Sequence, residues 1–216
     1  MHLHLLDDEV WFPPVSEALP DGLLAIGGDL RPERLLLAYR NGIFPWYNDD
    51  EPPLWWSPDP RFVLFPDELK VSKSMLQVIR KGEFEFKVDT DFEAVINNCR
   101  LLKRKDMDGT WISDDVEDAY TELHKLGYAH SAEAWKEGKL VGGLYGILLG
   151  KVFFGESMFS LTANASKFAF IKWVQELKAR GIVLIDCQVY TEHLESLGAR
   201  MIPREQFIDT IGKYAG

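Results

Sequence analysis

The chain has 216 residues, 46% of them apolar, which is enough to bury a core in one large domain or in one domain with a small companion. A formal net charge of −10 argues against a general nucleic-acid binder. No run approaches the roughly 18 apolar residues of a membrane span, and the first residues lack the layout of a secretory signal. Cys99 and Cys187 lie far apart and form no CxxC unit, so they read as reduced structural thiols in a cytoplasmic protein.

Residues 1–65 are rich in Pro, Gly and Trp and hold eleven acids against four bases. Residues 19–29 carry turn signals on both sides of a short apolar run. Residues 32–41 read as a helix with Pro in its first turn, stopped by Gly42. Trp46, Trp55 and Trp56 fall close together among prolines. Aromatics held on rigid loops either stack on bases or seal the joint between two domains, and the sequence leaves both open. Residues 69–82 read as a helix carrying Lys70, Lys73, Arg80 and Lys81, with Gly82 at its end. A strand follows over 84–88 and a helix over 91–101. A second basic segment holds Arg100, Lys103, Arg104 and Lys105. Two short basic segments in an acidic protein either grip a phosphate backbone locally or simply face solvent. Ser113 or Asp114 opens a helix over 114–126, and residues 129–135 form a strand that turns back at Glu137-Gly138.

The rest of the chain is organised around residues 141–188. Residues 141–154 read as two apolar strands joined at Gly150-Lys151, and Gly155-Glu156-Ser157 places a carboxylate and a hydroxyl at the end of the second. Asn164-Ala165-Ser166 is expected to cap a helix to Ala179, whose Phe170, Trp173, Val174 and Leu177 make one apolar face. Residues 182–188 are a short buried strand on which Asp186 and Gln188, two apart, project from the same side. Glu156 and the Asp186/Gln188 pair near strand ends form a candidate active site. A short helix over 193–198 and an amphipathic one over 203–216 complete an α+β fold with a mixed sheet. There is no phosphate loop, no GxGxxG at a strand–helix turn and no G-x-S-x-G elbow. The five histidines show no zinc-binding spacing beyond His2-Leu3-His4, and His124 and His130 read as structural.

The segments GLLAIGGDL, AYRNGIFPW, WWSPDPR, TWI, GLYGILLGKVFFGESMFS, NASK, LIDCQ and HLESLGA follow one another in that order. They are most specific in GESMFS together with LIDCQ. On these marks the chain resembles, along nearly its whole length, the bacterial leucyl/phenylalanyl-tRNA–protein transferases. The resemblance implies a small N-terminal domain over residues 1–65 and an N-acetyltransferase-like domain over residues 66–216. It also implies transfer of Leu or Phe, weakly Met, from aminoacyl-tRNA to proteins beginning with Arg or Lys, which marks them for degradation. No cofactor is expected, because the aminoacyl-tRNA co-substrate is already an activated ester. Three alternatives stay open: an acyl-CoA-dependent N-acyltransferase, a non-catalytic tRNA- or peptide-binding module, and a transferase that loads Leu onto acidic N-termini. The turn over 162–167 has no glycine, which counts against a CoA pyrophosphate cradle.

The same resemblance assigns the site. Asp186 and Gln188 are the expected catalytic residues, with Asp186 accepting from the Gln188 side-chain amide and so aiming its carbonyl oxygen at the attacking amine. Gly155, Glu156 and Ser157 are expected where the oxyanion and the aminoacyl α-ammonium lie. Leu144, Phe153, Met158, Phe170, Trp173 and Ile185 are the expected aminoacyl side-chain pocket; the family generally has Met at the Leu144 position. Trp46 and Trp111 match the positions that hold the terminal adenosine. The basic residues of the two segments (Lys70, Lys73, Arg80 and Lys81; Arg100, Lys103, Arg104 and Lys105) are expected on acceptor-stem phosphates.

Overall fold

A computed structural model describes residues 3–48, 50–101 and 112–216. The Pro- and Trp-rich beginning of the chain builds a four-stranded sheet and one helix. The elements are β1 (His4–Leu6), β2 (Leu23–Gly27), α1 (Pro32–Arg40), β3 (Phe44–Pro45) and β4 (Leu54–Trp56), with strand order β1-β2-β4-β3. Pro32 sits in the first turn of α1, where its missing N–H costs nothing. Leu35, Ala38 and Tyr39 turn one face of α1 fully inward.

The larger sheet has seven strands. Its elements are β5 (Arg61–Leu64), α2 (Lys73–Lys81), β6 (Glu85–Val88), α3 (Phe92–Leu101), α4 (Asp114–Lys125), β7 (Ala129–Lys136), β8 (Lys139–Leu149), β9 (Val152–Ser160), α5 (Ala165–Ala179), β10 (Leu184–Gln188), α6 (Glu192–Glu195), β11 (Arg200–Ile202) and α7 (Arg204–Tyr214). The order is β11-β5-β10-β9-β8-β7-β6. All neighbours are antiparallel except β9 and β10, which are parallel because α5 carries the chain back across the sheet between them. The fold class read from the sequence, a small N-terminal unit followed by a mixed sheet with helices, is the one observed.

Several local expectations shift. The basic helix starts at Lys73 rather than near residue 69, because Pro66–Glu68 forms a separate short turn and Ser72 caps α2 through Met75 N–H. Asn164 does not cap α5 with its side chain. It takes a left-handed φ of 70°, and Ser160 Oγ accepts the Ser166 N–H instead. The boundary placed at residue 65 leaves β5 on the N-terminal side, yet β5 pairs within the large sheet.

The sheet's period-two alternation sends its apolar residues into two layers. On β8, β9 and β10, Tyr145, Val152, Phe154 and Leu184 join a cluster with Tyr39, Trp55, Tyr120 and Phe207. Leu144, Phe153 and Ile185 join the cluster built on Phe168, Phe170, Trp173, Val174 and Leu177 of α5. The first cluster runs unbroken from the small sheet to α7. Gly42 makes this close packing possible. Its φ is 72°, and a Cβ there would stand 2.5 Å from the Ile208 side chain on α7.

Candidate active site

β10 lies beside β9 through Leu184, Ile185 and Asp186, opposite Val152, Phe153 and Phe154. The register against β5 then slips between Asp186 and Gln188, and Gln188 takes a φ of 64°. That conformation disfavours any residue with a Cβ and is held here at a cost, as backbone strain at functional sites often is. β9 continues to Ser160 with β8 on its other side, so the two strands part. A cavity of about 400 Å³ opens where they diverge.

The cavity has an apolar wall and a polar end. Leu144, Met158, Phe170 and Ile185 of the expected side-chain pocket line it, as do Gly155, Glu156, Ser157, Asp186 and Gln188. Phe153 and Trp173 do not. They meet edge to face at 5.6 Å in the layer under α5, each 1% exposed, so that they back the pocket rather than wall it. Phe44, Phe159, Ser166, Thr191 and His193 line the cavity as well. No pattern along the chain marks them, because they come from four separate elements or loops. His193 is held below its usual pKa by burial and by the Lys167 charge.

At the polar end the hydrogen bonds differ from the expected pairing. Gln188 Nε2 donates to Glu156 Oε1 at 2.9 Å, not to Asp186. Tyr39 Oη donates to the same oxygen at 2.7 Å, Tyr120 Oη donates to Oε2 at 3.1 Å, and the two phenols touch each other. Asp186 is fully buried. Its carboxylate takes a bidentate pair from Arg61, Nε at 2.8 Å and Nη2 at 2.7 Å, while Oδ1 also accepts the main-chain N–H of Gln188 at 2.9 Å. The reason is the bulge: with its alternation broken after Asp186, the Gln188 side chain no longer shares a side with Asp186. Arg61 lies between the rings of Phe44 and Phe207, its guanidinium carbon 4.6 Å from each centroid.

Burial pushes the Glu156 carboxyl up to about 8, and Asp186 adds to the rise, while donation from Tyr39, Tyr120 and Gln188 pulls it back. Burial first, and Glu156 second, push both phenols well above their usual range, so they stay protonated donors. Tyr39 comes from α1 in the small unit and Tyr120 from α4. Both sit inside unremarkable amphipathic helices, and nothing in their spacing points to a site.

The three clustered tryptophans divide their work. Trp46 lines the cavity. Trp56 supports it, donating Nε1–H to the Trp46 carbonyl at 2.7 Å. Trp55 is fully buried and bonds the Gly27 carbonyl at 2.9 Å. Trp111, Lys103, Arg104 and Lys105 lie outside the described residues. Lys70, Lys73, Arg80 and Lys81 are exposed. Arg100 is engaged by Asp114 and by Glu117, the latter at 3.1 Å, so its charge is already countered. His124 and His130 are structural: their Nδ1 atoms contact the Ala129 carbonyl at 2.8 Å and Asp89 Oδ2 at 2.7 Å. Among the described residues no helix is long and apolar enough to cross a membrane.

Two family models match the chain. "Leucyl/phenylalanyl-tRNA protein transferase" covers residues 63–212, and "Leucyl/phenylalanyl-tRNA protein transferase N-terminal domain" covers residues 28–59. A leucyl/phenylalanyl-tRNA–protein transferase of Syntrophus aciditrophicus is 58% identical over 94% of this chain and 84% of its own length. Proteins of the same name from Pseudomonas entomophila and Flavobacterium johnsoniae are each 56% identical over 97% of this chain, and over 93% and 99% of their own lengths. Likenesses to solved structures are distant. The structure of L-PGS from Bacillus licheniformis matches with a TM-score of 0.41 and 15% identity, over 80% of this chain and 57% of that one. A GCN5-related N-acetyltransferase-like protein from Streptococcus suis matches at 0.37 and 14%, over 74% and 59%. The protein is thus an aminoacyltransferase. The chain belongs to the leucyl/phenylalanyl-tRNA–protein transferase family, whose members transfer an aminoacyl group from tRNA to protein.

Proposed function

We propose that the protein moves Leu or Phe, and weakly Met, from aminoacyl-tRNA to the α-amine of proteins beginning with Arg or Lys, and that it acts in the cytoplasm to mark them for degradation. The observation that carries this reading is the cavity itself: its apolar wall suits an apolar side chain that is unbranched at Cβ, and the reacting ester then lies at the Glu156–Gln188 end. In the reaction the acceptor nitrogen attacks the ester carbonyl carbon, a C–N bond forms, and the bond to the ribose oxygen breaks. The ester is already activated, so no cofactor is needed. Gln188 acts at the reacting centre, with Nε2 held by Glu156 and Oε1 left to orient the amine. Asp186 acts through Gln188 by fixing its main-chain N–H. Main-chain N–H groups at Gly155, Glu156 and Ser157 are the nearest candidates for the oxyanion. Trp46, with Trp111, takes the terminal adenosine, a stack worth about 1–3 kcal/mol. Lys70, Lys73, Arg80 and Lys81 contact phosphates.

The test is a transfer assay with radiolabelled Leu-tRNA and peptides beginning with Arg, Lys, Asp or Ala. Label on the Arg and Lys peptides alone is expected. Label on the Asp peptide would keep the donor chemistry and overturn the acceptor rule.

A further inference from the structure

The polar end of the cavity holds two carboxyls that differ in burial and pairing. Asp186 is fully buried and its charge is matched by the bidentate Arg61. Glu156 lines the cavity, keeps a partly open edge there, and is bonded to the Gln188 side chain, which lines the cavity too. An acceptor α-amine enters mostly as an ammonium near pH 7, because its unperturbed pKa is about 8. It must lose a proton before it can attack.

We propose that Glu156 takes the proton of the acceptor α-ammonium, and that Tyr39 and Tyr120 are positioning residues that hold Glu156 ready to do so. The inference rests on the transfer reaction proposed above and gives Glu156 to the acceptor rather than to the α-ammonium of the donor. The ammonium passes one proton to a carboxylate oxygen of Glu156. The free amine attacks the ester carbonyl, and its second proton leaves with the ribose oxygen. Glu156 returns its proton to solvent as product departs. The groups facing Glu156 are Tyr39 from α1, Tyr120 from α4, and Gln188 and Asp186 from β10, with Tyr145 and Cys187 beside them. The Asp186 charge is matched by Arg61 of β5. A carboxyl near 8 and an amine near 8 exchange a proton at almost no cost in either direction, which suits a base that must also let the proton go.

The experiment begins with wild-type transfer to the Arg peptide, so that failure of the reaction itself is seen first and separately. kcat/KM is then measured from pH 6 to 9.5 for wild type, Glu156→Gln, Tyr39→Phe and Tyr120→Phe. Wild type should give a bell with its maximum near 8. Glu156→Gln keeps the volume and the acceptor for Gln188, and should lose up to about tenfold at pH 7, where about a tenth of an amine of pKa about 8 is already neutral, and rise monotonically with pH. Its affinity for aminoacyl-tRNA should stay within about threefold, since general-base help acts on the chemical step. The phenylalanine variants remove donors that favour the ionised carboxyl, so their maxima should move to higher pH. An acceptor whose α-amine is replaced by a weakly basic hydrazide nitrogen, neutral at pH 7, should hardly notice Glu156→Gln. A donor whose leucyl group lacks its α-amine should leave the Glu156→Gln defect intact. Wild-type height and shape in Glu156→Gln, uniform losses at every pH in the tyrosine variants, or a defect that vanishes with the amine-free donor would each overturn the proposal.

Discussion

Replacing Asp186 by alanine should destabilise the protein by about 3–5 kcal/mol, the usual cost of breaking a buried ion pair from one side. The structure fixes why the value belongs at that end. The two side chains are 0% and 1% exposed, so the abandoned guanidinium cannot turn to water. Arg61 is clamped between Phe44 and Phe207, and its Nη1 already lacks a hydrogen-bond partner among the described residues. The Gln188 N–H loses its acceptor as well. Against a total stability of about 5–15 kcal/mol, the urea midpoint should fall by more than about 1 M. Unfolding followed by tryptophan fluorescence reads this directly. The pair Arg61→Met, Asp186→Leu should recover most of the loss, because no lone charge remains and the site is walled by aromatic rings. A single Asp186→Ala variant within about 1 kcal/mol of wild type, or a double variant as weak as the two single losses added together, would refute the reasoning. Because of the Arg61 pair, transfer by the Asp186→Ala variant has to be referred to its folded fraction.

Glu156 supplies a second stability signature. Its folded pKa, near 8, lies above the ordinary 4.5, so its contribution is complete below pH 4.5 and is lost as pH rises to about 8. The loss is on the order of 4–5 kcal/mol, and Glu156→Gln should flatten that part of the wild-type stability profile measured by urea titration at several pH values. Trp46→Ala should weaken binding of aminoacyl-tRNA by about 1–3 kcal/mol in a filter-binding assay, with little effect on the free aminoacyl ester. Neutralising Lys73, Arg80 and Lys81 together should reduce the slope of log affinity against log salt by up to about 2–3, and an unchanged slope would remove α2 from the tRNA surface. Phe153→Leu should cost stability, typically under about 3 kcal/mol, while leaving the preference for Leu over Phe donors unaltered, since Phe153 lies behind the wall.

The β8–β9 hairpin, α5 and the strand ending at Gln188 were legible because each obeys a simple period: alternation in the strands, and Phe170, Trp173, Val174 and Leu177 along the helix. The same reasoning put Gln188 at a strand end, where β10 does stop, but it also ended the second strand before Glu156, which lies in the middle of β9 because that strand runs on to Ser160. It failed at the bulge, since a one-residue slip in register depends on what the neighbouring strand does and leaves no local mark. Arg61 was visible only as part of a recognisable segment, and its partner stands 125 residues away. Tyr39 and Tyr120 are 81 residues apart and meet over a carboxyl on a third element, a juxtaposition made by tertiary packing alone. The four-stranded sheet at the start was equally hidden: its strands are two to five residues long, too short for alternation to show.

The packing of α7 beneath the small unit bears on when the protein can first work. Phe207 is one jaw of the clamp on Arg61, and Phe207, Ile208 and Ile211 fill the hollow that Gly42 leaves open below α1. Tyr39 rides on that same helix, near its C-terminal end. A ribosome delivers α1 early and α7 late. Until α7 has emerged, the guanidinium behind Asp186 lacks one of its two rings, and the turn at Gly42 that follows Tyr39 and α1 lacks the side chains packed against it. A nascent chain carrying every other piece of the site should therefore be silent toward the many amines around it, and activity should switch on only once synthesis has passed α7.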